Sequence, residues 1–365
     1  MRHPLTFSLP VKGFTLVEVM VAMVIGMLGM IIMLQVFSAA EGQKRVTTGE
    51  GDLQNNGALA LYTLQRDVRL GGYGFNSINV FGCPITIPAP PVARTLTFLA
   101  PVIINPPVAD VPAGDANTDT LLVAYGRSGG SPEGDLITAT GTVGSDQVFS
   151  VLSPTNFSVG HRALAAPVEP ANGCALTLGT VTDVTSPNVT VAPSNAGEGG
   201  SLFNFGTSPR IVAYAIRGGN LTVCDYMQAN CAAACVAGNA NCNANWTPVA
   251  NNIVSLRAQY GRDTSTPMDG IDTWDQTTPV QPSPANQLLF ACLWSRASAL
   301  RIALVARNSQ PDSGILTALP PVWEGSALNA IDLSARADWQ NYRYRVFETV
   351  IPLRNLSWMG TALCP

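Results

Sequence analysis

The chain has 365 residues, of which 47% are apolar and only 12% charged, and its net charge is −4. Nothing in that balance makes a basic footprint for nucleic acid, so a nucleic-acid-binding role is excluded as a first reading. Two histidines leave little for histidine-built metal or proton-transfer sites, and no phosphate-cradling glycine loop or nucleophile-elbow motif is present. The sequence thus offers nothing positive for an enzyme, a catalytic residue or a cofactor.

The N-terminus is the most informative stretch. Residues 1–13 form a short leader carrying Arg2, His3 and Lys12 and no acid. Phe14 to Leu34 follow as 21 residues in which only Thr15 and Glu18 are clearly polar. As a helix this run is about 31 Å long, enough to cross a bilayer core. The basic leader predicts that residues 1–13 stay in the cytoplasm and that the rest is exported. A cleaved secretory signal, with Ala39-Ala40 as its site, would need a shorter apolar core. A plain signal anchor has no use for Glu18. A carboxylate in the bilayer centre costs about 2.5–3.5 kcal/mol, and less near the interface, so an acid inside the run calls for a partner.

Gly13-Phe14-Thr15-Leu16-Val17-Glu18, behind a basic leader and ahead of a long apolar run, resembles the type III signal of type IV pilins and type II secretion pseudopilins. The resemblance implies that a prepilin peptidase cuts between Gly13 and Phe14 and methylates the new amine of Phe14. It also implies that Glu18 pairs with the N-terminal amine of a neighbouring subunit. Pilins usually carry a proline in the second half of the membrane segment. This chain has Gln35 near that position and no proline between Phe14 and Leu70.

The helix is expected to continue to Gly71-Gly72, a plausible stop, giving an N-terminal helix over 14–72 with 14–34 in the membrane. Leu53, Gly57, Leu61, Leu64 and Val68 share one face, and Arg66, Asp67 and Arg69 are expected to lie away from it. Gly42, Gly49, Gly51 and Gly57 each weaken a helix by roughly 1 kcal/mol against alanine, which sets a bend or melted segment near 42–52 against the plainer reading that packing carries these glycines in an unbroken helix. Residues 73–365 are expected to form an exported β-rich globular region, with a variable insertion over about 80–250. Strands are predicted at 95–99, 120–125, 147–152, 175–181 and 188–192. A glycine-turn hairpin follows over 210–224, then strands at 252–260, 300–307 and 342–351. In 252–260, Val254, Leu256, Ala258 and Tyr260 alternate with Ser255, Arg257 and Gln259. A short helix is predicted over 287–296. The fold class is α+β: one long helix, then a disulfide-containing β domain.

Three further stretches resemble PilW-type minor pilins: Gln65 to Tyr73, Ile253 to Gly261, and Tyr344 to Asn355 with its closing Leu353-Arg354-Asn355. The resemblance covers both ends of the chain and leaves the middle open.

Eight cysteines, Cys83, Cys174, Cys224, Cys231, Cys235, Cys242, Cys292 and Cys364, read as disulfides in an exported chain. Connectivity is open, since eight cysteines allow 105 pairings. Cys224, Cys231, Cys235 and Cys242 could be weighed as a four-sulfur zinc site, but they lack the two-residue spacing of zinc knuckles. Cys292 with Cys364 is a candidate tie for the C-terminus. Asp263, Asp269, Asp272 and Asp275 with Gly270 form a weak calcium candidate, against the plainer reading as a turn. His161, the one histidine after the leader, reads as an ordinary surface or core residue. Six tryptophans read as core and strand residues before they read as a ligand shelf.

The resemblance implies a minor pilin that takes part in type IV pilus assembly, in a priming or tip complex, through helix packing. The implied partners are other minor pilins, the major pilin, the prepilin peptidase, the inner-membrane assembly platform and a tip adhesin, with links to adhesion and twitching motility. The implied location is the inner membrane, single-pass with the C-terminal region in the periplasm, and then the pilus. The alternatives are a J-type pseudopilin of type II secretion, a family of shorter chains, and a surface-binding or adhesin module carried on a pilin helix.

Overall fold

The computed structural model describes residues 13–88, 93–127, 129–169, 171–195, 200–232, 245–266, 268–283 and 285–356. The chain divides into two units, Met1–Gly51 and Asp52–Pro365. The long helix α1 (Leu16–Leu70) runs through both parts of the sequence. Residues 42–52 are helical throughout, so the melted segment that their glycines allow is not found. The reason is cooperativity. A glycine inside an established helix costs a propagation penalty of about 1 kcal/mol, whereas nucleating a new turn costs far more.

Within the second unit the helix buries Leu53, Ala60, Leu64 and Val68. This face is centred on Gly57, Ala60 and Leu64. Asp67, three residues past Leu64, therefore falls inside it and is fully buried, contrary to the expectation that it points away. The helix ends where Gly71 donates to the Val68 carbonyl and Gly72 takes a φ of +83°, a conformation open to glycine.

Behind the helix come β1 (Ile85–Ile87), β2 (Arg94–Leu96), β3 (Val102–Ile104) and β4 (Leu121–Tyr125). Next are β5 (Asp135–Val143), β6 (Asp146–Val151), β7 (Arg162–Ala165), β8 (Leu176–Thr177), β9 (Gly179–Thr185), β10 (Asn188–Ala192) and β11 (Ser201–Gly206). The last third holds β12 (Arg210–Arg217), β13 (Asn220–Asp225), β14 (Thr247–Ala250), β15 (Ile253–Arg262), β16 (Thr273–Asp275), the helix α2 (Gln287–Ser295), β17 (Ala297–Arg307) and β18 (Tyr344–Pro352).

These strands form four sheets: β2-β1-β8, β14-β13-β12-β4-β3, β16-β15-β17-β18, and a closed barrel β10-β6-β5-β11-β7-β9. The barrel lies between β4 and β12 in sequence. It has its own core of Phe149, Phe157, Val181, Val189, Val191 and Leu202, among others. A second core joins α1, the five-stranded sheet, α2 and one face of the four-stranded sheet. The other face of that sheet is covered by the irregular 308–341 segment, through Trp323, Ile331 and Leu333 against Val254, Ala303 and Val305. Strict alternation would place Val254 beside Leu256. A register shift between Ile253 and Ser255 turns it to the opposite face.

Two disulfides stand among the described residues, Cys83–Cys174 and Cys224–Cys231. The first spans 91 residues of sequence, and in the chain-entropy picture such a closure restricts the unfolded chain by about 4.6 kcal/mol.

Helix and four-stranded sheet meet at Gly57, where a Cβ would fall 2.1 Å from the Phe347 ring. Helix propensity alone favours alanine there by about 1 kcal/mol, but overpacking costs about 1–3 kcal/mol. Gly57→Ala is expected to destabilise the chain in denaturant unfolding. Adding Phe347→Leu should recover part of the loss. A stabilised Gly57→Ala single variant would mean the contact is not tight.

Candidate assembly interface

Helix α1 begins two residues behind Phe14 and is capped by its own side chains. Thr15 donates its backbone N–H to Glu18 Oε2 at 2.9 Å and its hydroxyl to the same oxygen at 3.0 Å. The Glu18 N–H donates back to Thr15 Oγ1 at 3.3 Å. This reciprocal pair is a capping box. Treating Glu18 only as a pairing acid misses it, although Thr-x-x-Glu ahead of an apolar run is its signature. Gly13 lies just before, and Phe14 is 88% exposed.

Every large apolar side chain from Phe14 to Phe37 is at least 43% exposed. Among the described residues α1 is one helix long and apolar enough to cross a membrane. No part of this unit's own structure covers that surface.

At its other end α1 is fixed by polar contacts. Tyr214 on β12 donates its hydroxyl to Asp67 Oδ2 at 2.6 Å, and Arg66 donates to Asp67 Oδ1 at 2.9 Å. Burial, and then the charge of Asp67, push the Tyr214 hydroxyl far up from its ordinary pKa. Tyr125, also buried beside Asp67, is shifted up for the same two reasons. Asn355, just past β18, donates to the carbonyls of Arg69, Leu70 and Gly71 at 3.4, 3.3 and 3.0 Å. It meets the carbonyl groups that a helix leaves unsatisfied at its end.

The family model described as Type IV Pilus-assembly protein W (PilW) matches residues 214–355. The prokaryotic N-terminal methylation motif matches residues 10–34. The chain thus carries a prokaryotic N-terminal methylation motif and a PilW domain. No curated protein matches it significantly. Among solved structures, the type IV-like pilin TTHA1219 from Thermus thermophilus is similar at 12% identity and a TM-score of 0.36, over 84% of this chain and 98% of that one. A likeness that loose carries no argument.

The PilW match includes two of the residues that hold the helix. Tyr214 opens the matched segment and Asn355 closes it. The stretches Gln65 to Tyr73, Ile253 to Gly261, and Tyr344 to Asn355 lie on the α1 end, on β15, and on β18 with its cap. The barrel, residues 135–206, precedes the matched segment. Pilin-family domains are structural and non-enzymatic.

The other candidates are placed as follows. Asp263, Asp269 and Asp272 gather on the Ser265 hydroxyl at 3.1, 2.8 and 3.1 Å. Asp275 does not join them and pairs with Arg262 at 2.8 Å. Hydrogen bonds from Thr264, first from its backbone, hold the Asp272 carboxyl below its ordinary pKa. Among the described residues no three His, Cys, Asp or Glu side chains are arranged to hold a metal. Cys224 and Cys231 are joined, which takes both thiols from any zinc set. Cys292 is disulfide-bonded too. Cys235, Cys242 and Cys364 lie outside the described residues, as do residues 1–12. His161 meets Asn204 through Nδ1 at 3.1 Å. Trp246, Trp294 and Trp323 are buried, in line with the core reading.

Tyr214→Phe removes the hydroxyl from a buried carboxylate. It is expected to cost about 1.5–3 kcal/mol, the range for hydrogen bonds to charged groups. Asn355→Ala is expected to cost about 1 kcal/mol and to speed amide exchange around the end of α1. Unfolding of the full chain in detergent reads both. Unchanged stability in Tyr214→Phe would remove the Asp67 contact as an anchor.

Proposed function

We propose that this PilW-family chain is an inner-membrane minor pilin that joins a priming or tip complex of the type IV pilus by packing its helix against other pilins. The observation that carries this reading is the fully exposed apolar half of α1 with one acid near its start. Lipid covers that surface before assembly, and neighbouring helices cover it afterwards. The leader is cut between Gly13 and Phe14, the C-terminal region lies in the periplasm, and the Phe14 amine is methylated. These assignments rest on the methylation motif and the basic leader.

Glu18 has two roles to reconcile. It caps its own helix, worth roughly 1 kcal/mol. An unpaired carboxylate costs about 2.5–3.5 kcal/mol at the bilayer centre and less near the interface, where Glu18 lies. Pairing with the amine of a neighbour's Phe14 offsets that cost once helices pack around Glu18 and exclude water, and gives up only the capping contact.

Glu18→Gln separates the two roles, because glutamine also completes a capping box. The variant is expected to keep α1 intact by circular dichroism and to enter pili at a small fraction of the parent level by quantitative immunoblot. Parent-level entry would end the pairing reading.

A further inference from the structure

Among the described residues, the outermost strands of the sheets are short or closed, with one exception. The barrel is closed. The edge strands β2, β3, β8, β14 and β16 are two to four residues long. The remaining edge, β18, is nine residues long, about 30 Å of backbone. Short or closed edges are how natural sheets avoid unwanted pairing, so a single long edge stands out.

The ladder gives the direction of every backbone group on β18. Leu353 donates its N–H to Ser298 O, and Asn308 donates to Arg343 O, both in register with the β17–β18 pairing. Odd-numbered residues of β18 therefore bond to β17, and even-numbered ones point outward. Just before the strand, Thr317 donates its hydroxyl to the outward carbonyl of Tyr342. From Tyr344 on, the N–H and C=O groups of Tyr344, Val346, Glu348 and Val350 have no partner among the described residues. Pro352, which lacks an N–H, ends the row.

The side chains agree. Every residue of β17 but Ser298 and Arg307 is buried, whereas on β18 only Ile351 is. Tyr344 and Val346 on one face and Phe347 on the other are half-buried apolar groups, and Val350 is 45% exposed. A strand with apolar groups on both faces is built like an interior strand that lacks its neighbour.

We infer that the outer edge of β18 receives an extended strand from a different protein of the pilus, adding a fifth strand to the sheet. The occupant carries apolar residues toward both faces, an acid facing Arg345 and a base facing Glu348. Arg345 and Glu348 are exposed; Arg345 lies over the Phe347 ring and Glu348 accepts from the Glu324 N–H at 3.1 Å, but neither is ion-paired among the described residues, so both charges stay unbalanced at the edge. A second copy of this chain does not supply that match. Antiparallel pairing of two β18 strands through their outer edges sets even residues opposite even and odd opposite odd. Arg345 then never stands opposite Glu348. The inference rests on the assembly reading above and specifies one contact within it.

Residue-resolved hydrogen exchange on the full chain tests it, first dispersed in detergent over a range of concentrations and then in assembled pili. The amides of Tyr344, Val346, Glu348 and Val350 should exchange freely in the dispersed chain and slow at least about tenfold in pili. Those of Arg345, Phe347, Thr349 and Ile351 should be protected in both. Protection of the even set in the dilute dispersed chain would mean that the chain covers its own edge, and would overturn the inference. Protection that grows with concentration in the dispersed chain alone would assign the edge to a second copy and overturn it too. Free exchange in pili that contain the chain would overturn the edge contact and leave the assembly reading standing. Absence of the chain from pili would remove the assembly reading and this inference with it. As a second readout, Val346→Pro deletes an outward donor that β17 does not use. It should lower entry into pili several-fold, while Val346→Ala leaves entry near the parent level.

Discussion

A helix whose first half is apolar and exposed within its own unit must be buried by something else. Each large apolar side chain between Phe14 and Phe37 is worth about 1.5–3 kcal/mol when removed from water. Together they exceed the roughly 5–15 kcal/mol by which a whole domain is stable. No rearrangement of the β region could compensate for leaving them wet. The membrane, and then other helices, are the environments that match. The position of Glu18 near the start of the run follows from the same constraint. A carboxylate there stays close to the interface, where its cost is lower.

The second half of α1 has the opposite relation to its surroundings. Leu53, Ala60, Leu64 and Val68 are buried in the main core. Gly57 admits the Phe347 ring, and Asp67 accepts from Tyr214. Asn355 closes the helix end. The partners in these contacts, Tyr214, Phe347 and Asn355, all lie within the PilW-matched residues 214–355. The matched segment therefore supplies part of the grip on the helix, and β4 adds to it through Ala124, whose carbonyl accepts from the Gly72 N–H, and through Tyr125 beside Asp67. The barrel is an elaboration placed before the matched segment. Part of its core and the residues under the 308–341 segment form clusters of their own, while Leu164, Phe203 and Phe205 of the barrel strands join the main core with the helix.

Much of this is legible in the sequence where a pattern repeats. The apolar run, the glycine stop after Leu70 and the alternation in β15 are patterns of this kind, and the structure places elements there. The capping box is legible as Thr-x-x-Glu, but the same glutamate also signals a buried charge, and the louder signal hides the quieter one. Asp67 is misplaced when the helix face is drawn through Leu61, because the small Ala60 lies nearer its centre. Val254 is misplaced because a bulge has no signature in the alternation it interrupts. The closure of the barrel is not legible. Its strands β5, β7, β9 and β11 are short or rich in threonine and glycine, and closure depends on pairings such as β5 with β11 that span more than 50 residues of sequence. The 308–341 cover has no period at all and is defined by the sheet face it fills.

The most direct measurement of the central claim is the mass and N-terminal sequence of the protein recovered from assembled pili and from the inner membrane. The account predicts a chain that begins at Phe14, carries one methyl group on its amine, and stays with the membrane until it enters a pilus. A chain that still begins at Met1 in pili, or one cut near Ala40 and released as a free protein, would contradict it.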